Sequence, residues 1–245
     1  MMHRCLAVII AAFAVSSAGA ETTQIAVAAN FTDAAKAVAE AFKAETGHDA
    51  VLSFGSTGQL YTQISQAAPF DVFLAADRKR PAMAATEGFG VPDTEFTYAI
   101  GQLVLWSAET GQVTGKETLL DPKLTRIAIA NPDAAPYGAA AVQAMQNLKV
   151  YDLLAPKIVE GSSITQTFQF VATGNAEIGF VAGAQLGERG GSAWIVDPSL
   201  YDPIRQDAVL LTHGADNPAA VAFLEFLKTP KAREIVESYG YAVEP

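Results

Sequence analysis

The chain has 245 residues, 16 Lys+Arg against 26 Asp+Glu for a formal net charge of −10, and 50% apolar residues. So acidic a chain is a poor partner for nucleic acid and repels anions at long range, so any anion site must be built from local, oriented dipoles. One cysteine, Cys5, excludes a disulfide framework and leaves core burial to hold the fold, which is long enough for one large domain or two lobes of about 100 residues each.

The first 20 residues read as a cleavable signal peptide. Arg4 supplies a positive start, residues 6–15 an apolar stretch, and Ala18-Gly19-Ala20 a small-residue cleavage site. The apolar stretch is too short to span a bilayer, and Cys5 has no lipidation context around it. Export to the periplasm as a mature chain starting at Glu21 is expected, without direct membrane insertion.

From Glu21 onward strand and helix patterns alternate, which predicts an α/β fold with mostly parallel sheets flanked by helices. A helix over residues 31–46 would bury Phe31, Ala35, Val38 and Phe42, with Asn30 as N-cap, Asp33 completing a capping box and Gly47 closing it. Strands are expected at 50–54, 71–75 and 102–106, with Pro81 in the first turn of a helix. A second α/β block follows, with strands near Ile127, Ile158, 178–181 and 194–196 and helices starting near Gly138 and Ser163. A strand at 208–212 and two Pro-started helices, at 218–227 and 230–239, end the chain. There is no linker, which suggests that a two-lobed chain would cross between lobes more than once.

Four times an apolar run ends in small polar residues and opens a helix. The junctions are Ala29-Asn30-Phe31, Gly55-Ser56-Thr57-Gly58, Asn131-Pro132 leading to Tyr137-Gly138, and Gly161-Ser162-Ser163-Ile164. None carries a basic residue. The first N–H groups of a helix lack intrahelical partners and sit at the positive end of its dipole, so several such ends brought together would bind an anion without Lys or Arg. The bland reading competes at each junction. Asn30, Ser56, Thr57, Ser162 and Ser163 could simply cap their helices, and Tyr137 could be a half-buried aromatic. The joint pattern favours a site, because ligands of open α/β sheets sit beyond the carboxyl ends of strands.

Enzymatic chemistry is poorly represented. His48 and His213 have no second ligand at metal spacing, and there is neither a G-x-S-x-G elbow nor a phosphate loop ending in Gly-Lys-Ser/Thr. A triad of Ser56 or Ser163 with His213 is the hydrolase alternative.

With the junctions laid out, the chain resembles the periplasmic molybdate-binding proteins, the capture subunits of molybdate ABC transporters. The resemblance runs over residues 21–245. It is carried by Val27-Ala28-Ala29-Asn30-Phe31-Thr32-Asp33-Ala34, by Ser53-Phe54-Gly55-Ser56-Thr57-Gly58-Gln59-Leu60, and by Ala68-Pro69-Phe70-Asp71-Val72-Phe73-Leu74-Ala75-Ala76-Asp77. Asn131-Pro132 with Pro136-Tyr137-Gly138, Gly174-Asn175-Ala176-Glu177-Ile178-Gly179-Phe180-Val181 and Tyr239-Gly240 complete it.

The resemblance implies a two-lobed type II periplasmic-binding fold, with lobe one at 21–98 plus 206–245, lobe two at 99–205, and crossings near 97–101 and 203–207. It implies molybdate, with tungstate close in size, as the ligand, a membrane permease as partner, no cofactor, no catalysis, and a monomer. By position it implies Asn30 (backbone and side chain), Ser56, Thr57, Tyr137 and the Ile164 backbone N–H as the oxyanion's ligands, molybdenum having no direct protein ligand. Many relatives place a tyrosine near Ala182, which cannot donate; Asn30 with Tyr137 matches a subgroup in which Tyr137 substitutes. Sulfate is the rival oxyanion, since only size separates it from molybdate. Phosphate is weaker, since a donor-only pocket has nothing to accept its P–OH.

Overall fold

The computed structural model describes residues 19–244; the expected signal peptide lies outside the described residues but for its last two. The elements run β1 (Thr22–Ala28), α1 (Thr32–Thr46), β2 (Asp49–Gly55), α2 (Thr57–Ser65), β3 (Val72–Leu74), α3 (Lys79–Thr86), β4 (Phe96–Gly101) and β5 (Leu103–Ser107). They continue with β6 (Ile127–Ala130), α4 (Pro136–Asn147), α5 (Tyr151–Leu154), β7 (Ile158–Gly161), α6 (Ile164–Ala172), β8 (Ile178–Ala182), β9 (Ser192–Ile195), β10 (Ile204–Leu210), α7 (Pro218–Leu227) and α8 (Pro230–Ser238).

Two five-stranded sheets result, in the orders β2-β1-β3-β10-β4 and β7-β6-β8-β5-β9. In the first, β10 runs antiparallel to both β3 and β4 while β1 pairs in parallel with β2 and β3. In the second, β5 is the reversed strand and β6 pairs in parallel with β7 and β8. Four strands of each sheet therefore share a direction. Their carboxyl ends carry the four polar junctions, because a parallel βαβ unit returns its chain on the far side of the sheet.

The expected α/β architecture is present, with two local differences. The first is a strand where the sequence pattern shows none: β4 includes residues 97–101, where the resemblance implies a crossing, and pairs with β10 from Gly101↔Ile204 to Phe96↔Ala208. The crossings thus begin as a hydrogen-bonded antiparallel ribbon. Its register slips between Gln206 and Asp207, leaving Tyr98 without a partner of its own. The second difference is at Asn30. A single 3-10 turn, Ala29–Phe31, precedes α1, so Phe31 takes the N-cap position and no side chain caps the helix. Gly47 does close it, in the left-handed conformation (φ 77°), with its N–H on the Lys43 carbonyl.

The apolar faces assemble as their spacing demands. Phe31, Ala35, Val38 and Phe42 of the α1 region pack with Phe223 and Phe226 of α7 on one face of the first sheet, while Leu60, Ile64 and Phe73 fill the other. In the second sheet Trp106 stacks on Phe168 at 4.8 Å. One cluster joins both sheets. Ala28, Ala29 and Ala76 from the first pack among Ala130, Ala135, Tyr137, Ile164 and Ala182 from the second. Small side chains at these strand ends let the facing helix N-termini approach.

Candidate functional site

All five residues singled out by sequence lie where the two sheets face each other, and all are buried: Asn30, Ser56, Thr57, Tyr137 and Ile164 are 1–5% exposed. Direct bonds tie the junctions together across the gap. Gly58 N–H donates to the Ala134 carbonyl (2.8 Å), the Thr165 hydroxyl to the Ala29 carbonyl (3.3 Å), and Arg80 Nη2 to the Asp133 carbonyl (2.6 Å). Arg80 is in turn gripped by Asp77 at 2.5 Å and reaches across from α3. A Cβ at Gly58 would meet the Ala134 Cα at 3.0 Å, so glycine there permits the close approach.

Ser56 is the most informative of the five. It occupies the N-cap position of α2, yet its hydroxyl caps nothing. It is the one buried side-chain polar atom without a hydrogen-bond partner among the described residues. Leaving a buried hydroxyl unpaired costs roughly 1–3 kcal/mol, so such an atom needs a reason. The capping reading fails here and holds at Ser163, whose hydroxyl accepts from Gln166 N–H (3.2 Å) at the start of α6. Thr57 accepts from Ala76 N–H (3.0 Å), which locks the β2–α2 junction to the end of β3 and leaves its own O–H proton available.

Asn30 behaves differently from the sequence expectation. Both hydrogens of its side-chain amide are engaged within the protein, on Gln206 Oε1 (2.8 Å) and Tyr241 Oη (3.1 Å). Its side chain is therefore structural, and its backbone N–H is the group left to serve a ligand. Tyr137 sits in the first turn of α4, behind Pro136. Its hydroxyl accepts from Gln206 Nε2 (3.4 Å) and presses on Gly101, where any Cβ would overlap it. Ile164 opens α6, where its N–H has no intrahelical partner. Ala182 contributes no donor: its N–H is taken by Gln185 Oε1 (3.0 Å).

Sequence reading missed Gln206, Tyr98 and Tyr241. Gln206 is fully buried and links three other polar side chains, Asn30, Tyr98 and Tyr137, with the Tyr98 hydroxyl 3.3 Å from its Oε1. Its signal was a glutamine and an aspartate, Gln206-Asp207, inside an apolar strand pattern. Burial pushes the Tyr137 and Tyr98 phenols well above the ordinary tyrosine value, aided by their neighbouring tyrosines, and Tyr241 is raised by burial too. All three stay protonated at any physiological pH. The site thus holds N–H and O–H donors, helix N-termini and no Lys, Arg or His. Such a lining suits a fully deprotonated anion.

Other candidates fall away on position. His213 pairs with Asp71 (2.7 Å) just ahead of β3, at the amino ends of the strands, whereas Ser56 follows the carboxyl end of β2. A Ser–His–Asp arrangement is therefore not assembled. Among the described residues no His/Cys/Asp/Glu cluster could hold a metal ion, and no helix is long and apolar enough to cross a membrane. A groove of about 620 Å³ lies beside the β10 crossing, with Arg78, Arg80, Asp133 and Arg205 among its lining residues. None of the five site residues lines it. A smaller cavity of about 150 Å³ opens next to Asn30 between Thr165, Gln185 and Arg189.

Two sheets of matching order, joined by a crossing ribbon and facing each other through helix N-termini, define a two-lobed solute-binding protein. The chain belongs to the bacterial extracellular solute-binding proteins, whose family model matches residues 23–242. It is 55% identical over 220 residues to the molybdate-binding protein ModA of Rhodobacter capsulatus, covering 89% of this chain and 87% of that one. It is 51% identical over 233 residues to ModA of Azotobacter vinelandii, covering 93% and 92%. The solved periplasmic molybdate-binding protein of Azotobacter vinelandii superposes with a TM-score of 0.88 at 39% identity, over 91% of this chain and all of that one.

Proposed function

We propose that this protein captures molybdate, and tungstate with it, in the periplasm and delivers it to the permease of an ABC transporter. Near-full-length identity above one half to two molybdate-binding proteins supports the ligand. The observation that carries the site is the Ser56 hydroxyl, buried and unpartnered between the two sheets. In this reading the Ser56 and Thr57 hydroxyls, the Tyr137 hydroxyl and the backbone N–H groups of Asn30 and Ile164 surround the oxyanion. Lobe one comprises residues 21–98 plus 206–245 and lobe two residues 99–205, and residues 1–20 are the cleaved signal.

The mechanism follows from burial. Site residues this enclosed admit a ligand only when the lobes part. Donors from both lobes then make the closed form the one the ligand stabilises, by its differential affinity. Each charge-assisted hydrogen bond contributes about 1.5–3 kcal/mol, so several reach sub-micromolar affinity after closure costs. The protein acts by binding alone, as a monomer with no cofactor. Calorimetric titration of dialysed protein with molybdate tests the proposal. One-to-one binding undisturbed by millimolar sulfate is expected; binding of sulfate without molybdate would overturn the ligand.

A further inference from the structure

Gln206 has no part in the binding described so far, yet its amide orientation is fixed by a chain of hydrogen bonds leading into the site. Tyr241 donates its one proton to the Asn30 carbonyl (2.7 Å), which can only accept. Its oxygen must then accept at its other contact, so the Asn30 atom 3.1 Å away is the Nδ2 amide. The second hydrogen of that amide points at Gln206 (2.8 Å), which must present Oε1. Tyr98, whose hydroxyl also reaches the Ala75 carbonyl (3.0 Å), leans on the same oxygen. Nε2 is left facing Tyr137 Oη at 3.4 Å, and it can only donate.

A phenolic proton lies in the ring plane and has two orientations. At Tyr137 the one toward Gln206 is taken by an incoming N–H, so the proton turns the other way. We propose that Gln206 is a positioning residue that fixes the Tyr137 hydroxyl as a donor, so that this hydroxyl cannot accept from an oxyanion that still carries a proton and the preference for molybdate over phosphate is raised. The proposal rests on the reading of Tyr137 as a ligand group. A hydroxyl free to rotate could accept from a P–OH; one held by Gln206 meets that hydrogen with its own.

The register slip at Gln206/Asp207 supports the assignment. It brings the unpaired Tyr98 and Gln206 to one place on the ribbon between the sheets. The relay draws on α1's entry turn, the crossing strands and the C-terminal segment, so it is assembled only in the complete fold.

The test is competition calorimetry on the full mature protein, its Tyr137→Phe variant and its Gln206→Met variant. The probes are molybdate and inorganic phosphate at pH 8, where the main phosphate species is a dianion with one P–OH. Wild type should bind molybdate, and Tyr137→Phe should bind it about fivefold or more weakly. If either fails, the site reading fails and takes the relay with it. Given both, Gln206→Met should lower the preference for molybdate over phosphate by about tenfold. An unchanged preference with both ligands weakened equally would mean that Gln206 is only structural.

Should Gln206→Met not fold, Gln206→Glu provides a second readout. A neutral acid can donate to Tyr137 as the amide does, whereas a carboxylate accepts its proton and turns it from the ligand. Molybdate affinity of Gln206→Glu should therefore fall as pH rises, against a flat wild-type profile, and the fall should shrink in the Tyr137→Phe background. An equal fall in both backgrounds reflects charge repulsion alone and overturns the relay.

Discussion

Replacing Ser56 with alanine separates ligand binding from folding. A serine at a helix N-cap normally contributes about 1 kcal/mol, because its oxygen accepts from the first turn. Ser56 makes no such bond and has no other partner, so the fold loses nothing when the oxygen goes. Apo Ser56→Ala should melt within about 2 °C of wild type, or slightly above it. Binding should suffer, since a hydrogen bond to a charged acceptor contributes about 1.5–3 kcal/mol, or roughly 10- to 100-fold in Kd. At a molybdate concentration about 100 times the wild-type Kd, the ligand stabilises wild type by about 2.7 kcal/mol and a 30-fold weaker variant by about 0.9 kcal/mol. For a protein of this size the ligand-induced rise in Tm should shrink by about 4–7 °C. Thermal scans with and without molybdate read both quantities. A variant that loses several degrees in the apo form but keeps its ligand shift would show Ser56 to be a structural cap, and the reasoning would be wrong.

Tyr137→Phe should weaken molybdate by about 1–3 kcal/mol with the fold intact, measured by calorimetry and circular dichroism. Affinity should be flat from about pH 6 to 9, because burial raises the phenol of Tyr137 well above 10 and deprotonation, which would remove a donor and lower affinity, lies far above that window. Gly101→Ala puts a methyl group onto the Tyr137 hydroxyl; overpacking of about 1–3 kcal/mol and at least tenfold weaker binding should appear together in melting and titration. Arg80→Gln removes the guanidinium that bridges Asp77 to the Asp133 carbonyl. Release of molybdate in stopped flow should quicken about fivefold, a modest effect because the group is partly solvated.

What the sequence made legible was local. Strand, junction and helix follow one another within 10–20 residues, so periodicity and the polar breaks located most elements, Gly47 and the Pro starts of α7 and α8 included. The four junctions were legible for the same reason, whereas the choice of Asn30, Ser56, Thr57, Tyr137 and Ile164 as ligand groups came from the family resemblance, and which of their atoms remain free was not legible. Asn30 reads as a cap because capping is the commonest use of a junction asparagine. Its amide is instead claimed by Gln206 and Tyr241, 176 and 211 residues away in the chain. Strand β4 was hidden because its edge pairing with β10 closes over more than 100 residues, and no local pattern announces such a partner. Gln206 was invisible for a related reason. A buried glutamine in a strand gains meaning only once its three polar partners are in place.

In the proposed site the anion sits among the facing helix N-termini, held by N–H and O–H donors and by no cation. Diffraction from crystals grown with tungstate tests it most directly, since tungsten's anomalous signal locates the ion without interpretation. One peak is expected between the sheets, with its oxygens about 2.7–3.2 Å from Ser56 Oγ, Tyr137 Oη and the backbone nitrogens of Asn30 and Ile164. A peak in the groove beside Arg78, Arg80 and Arg205, with none near Ser56, would contradict it.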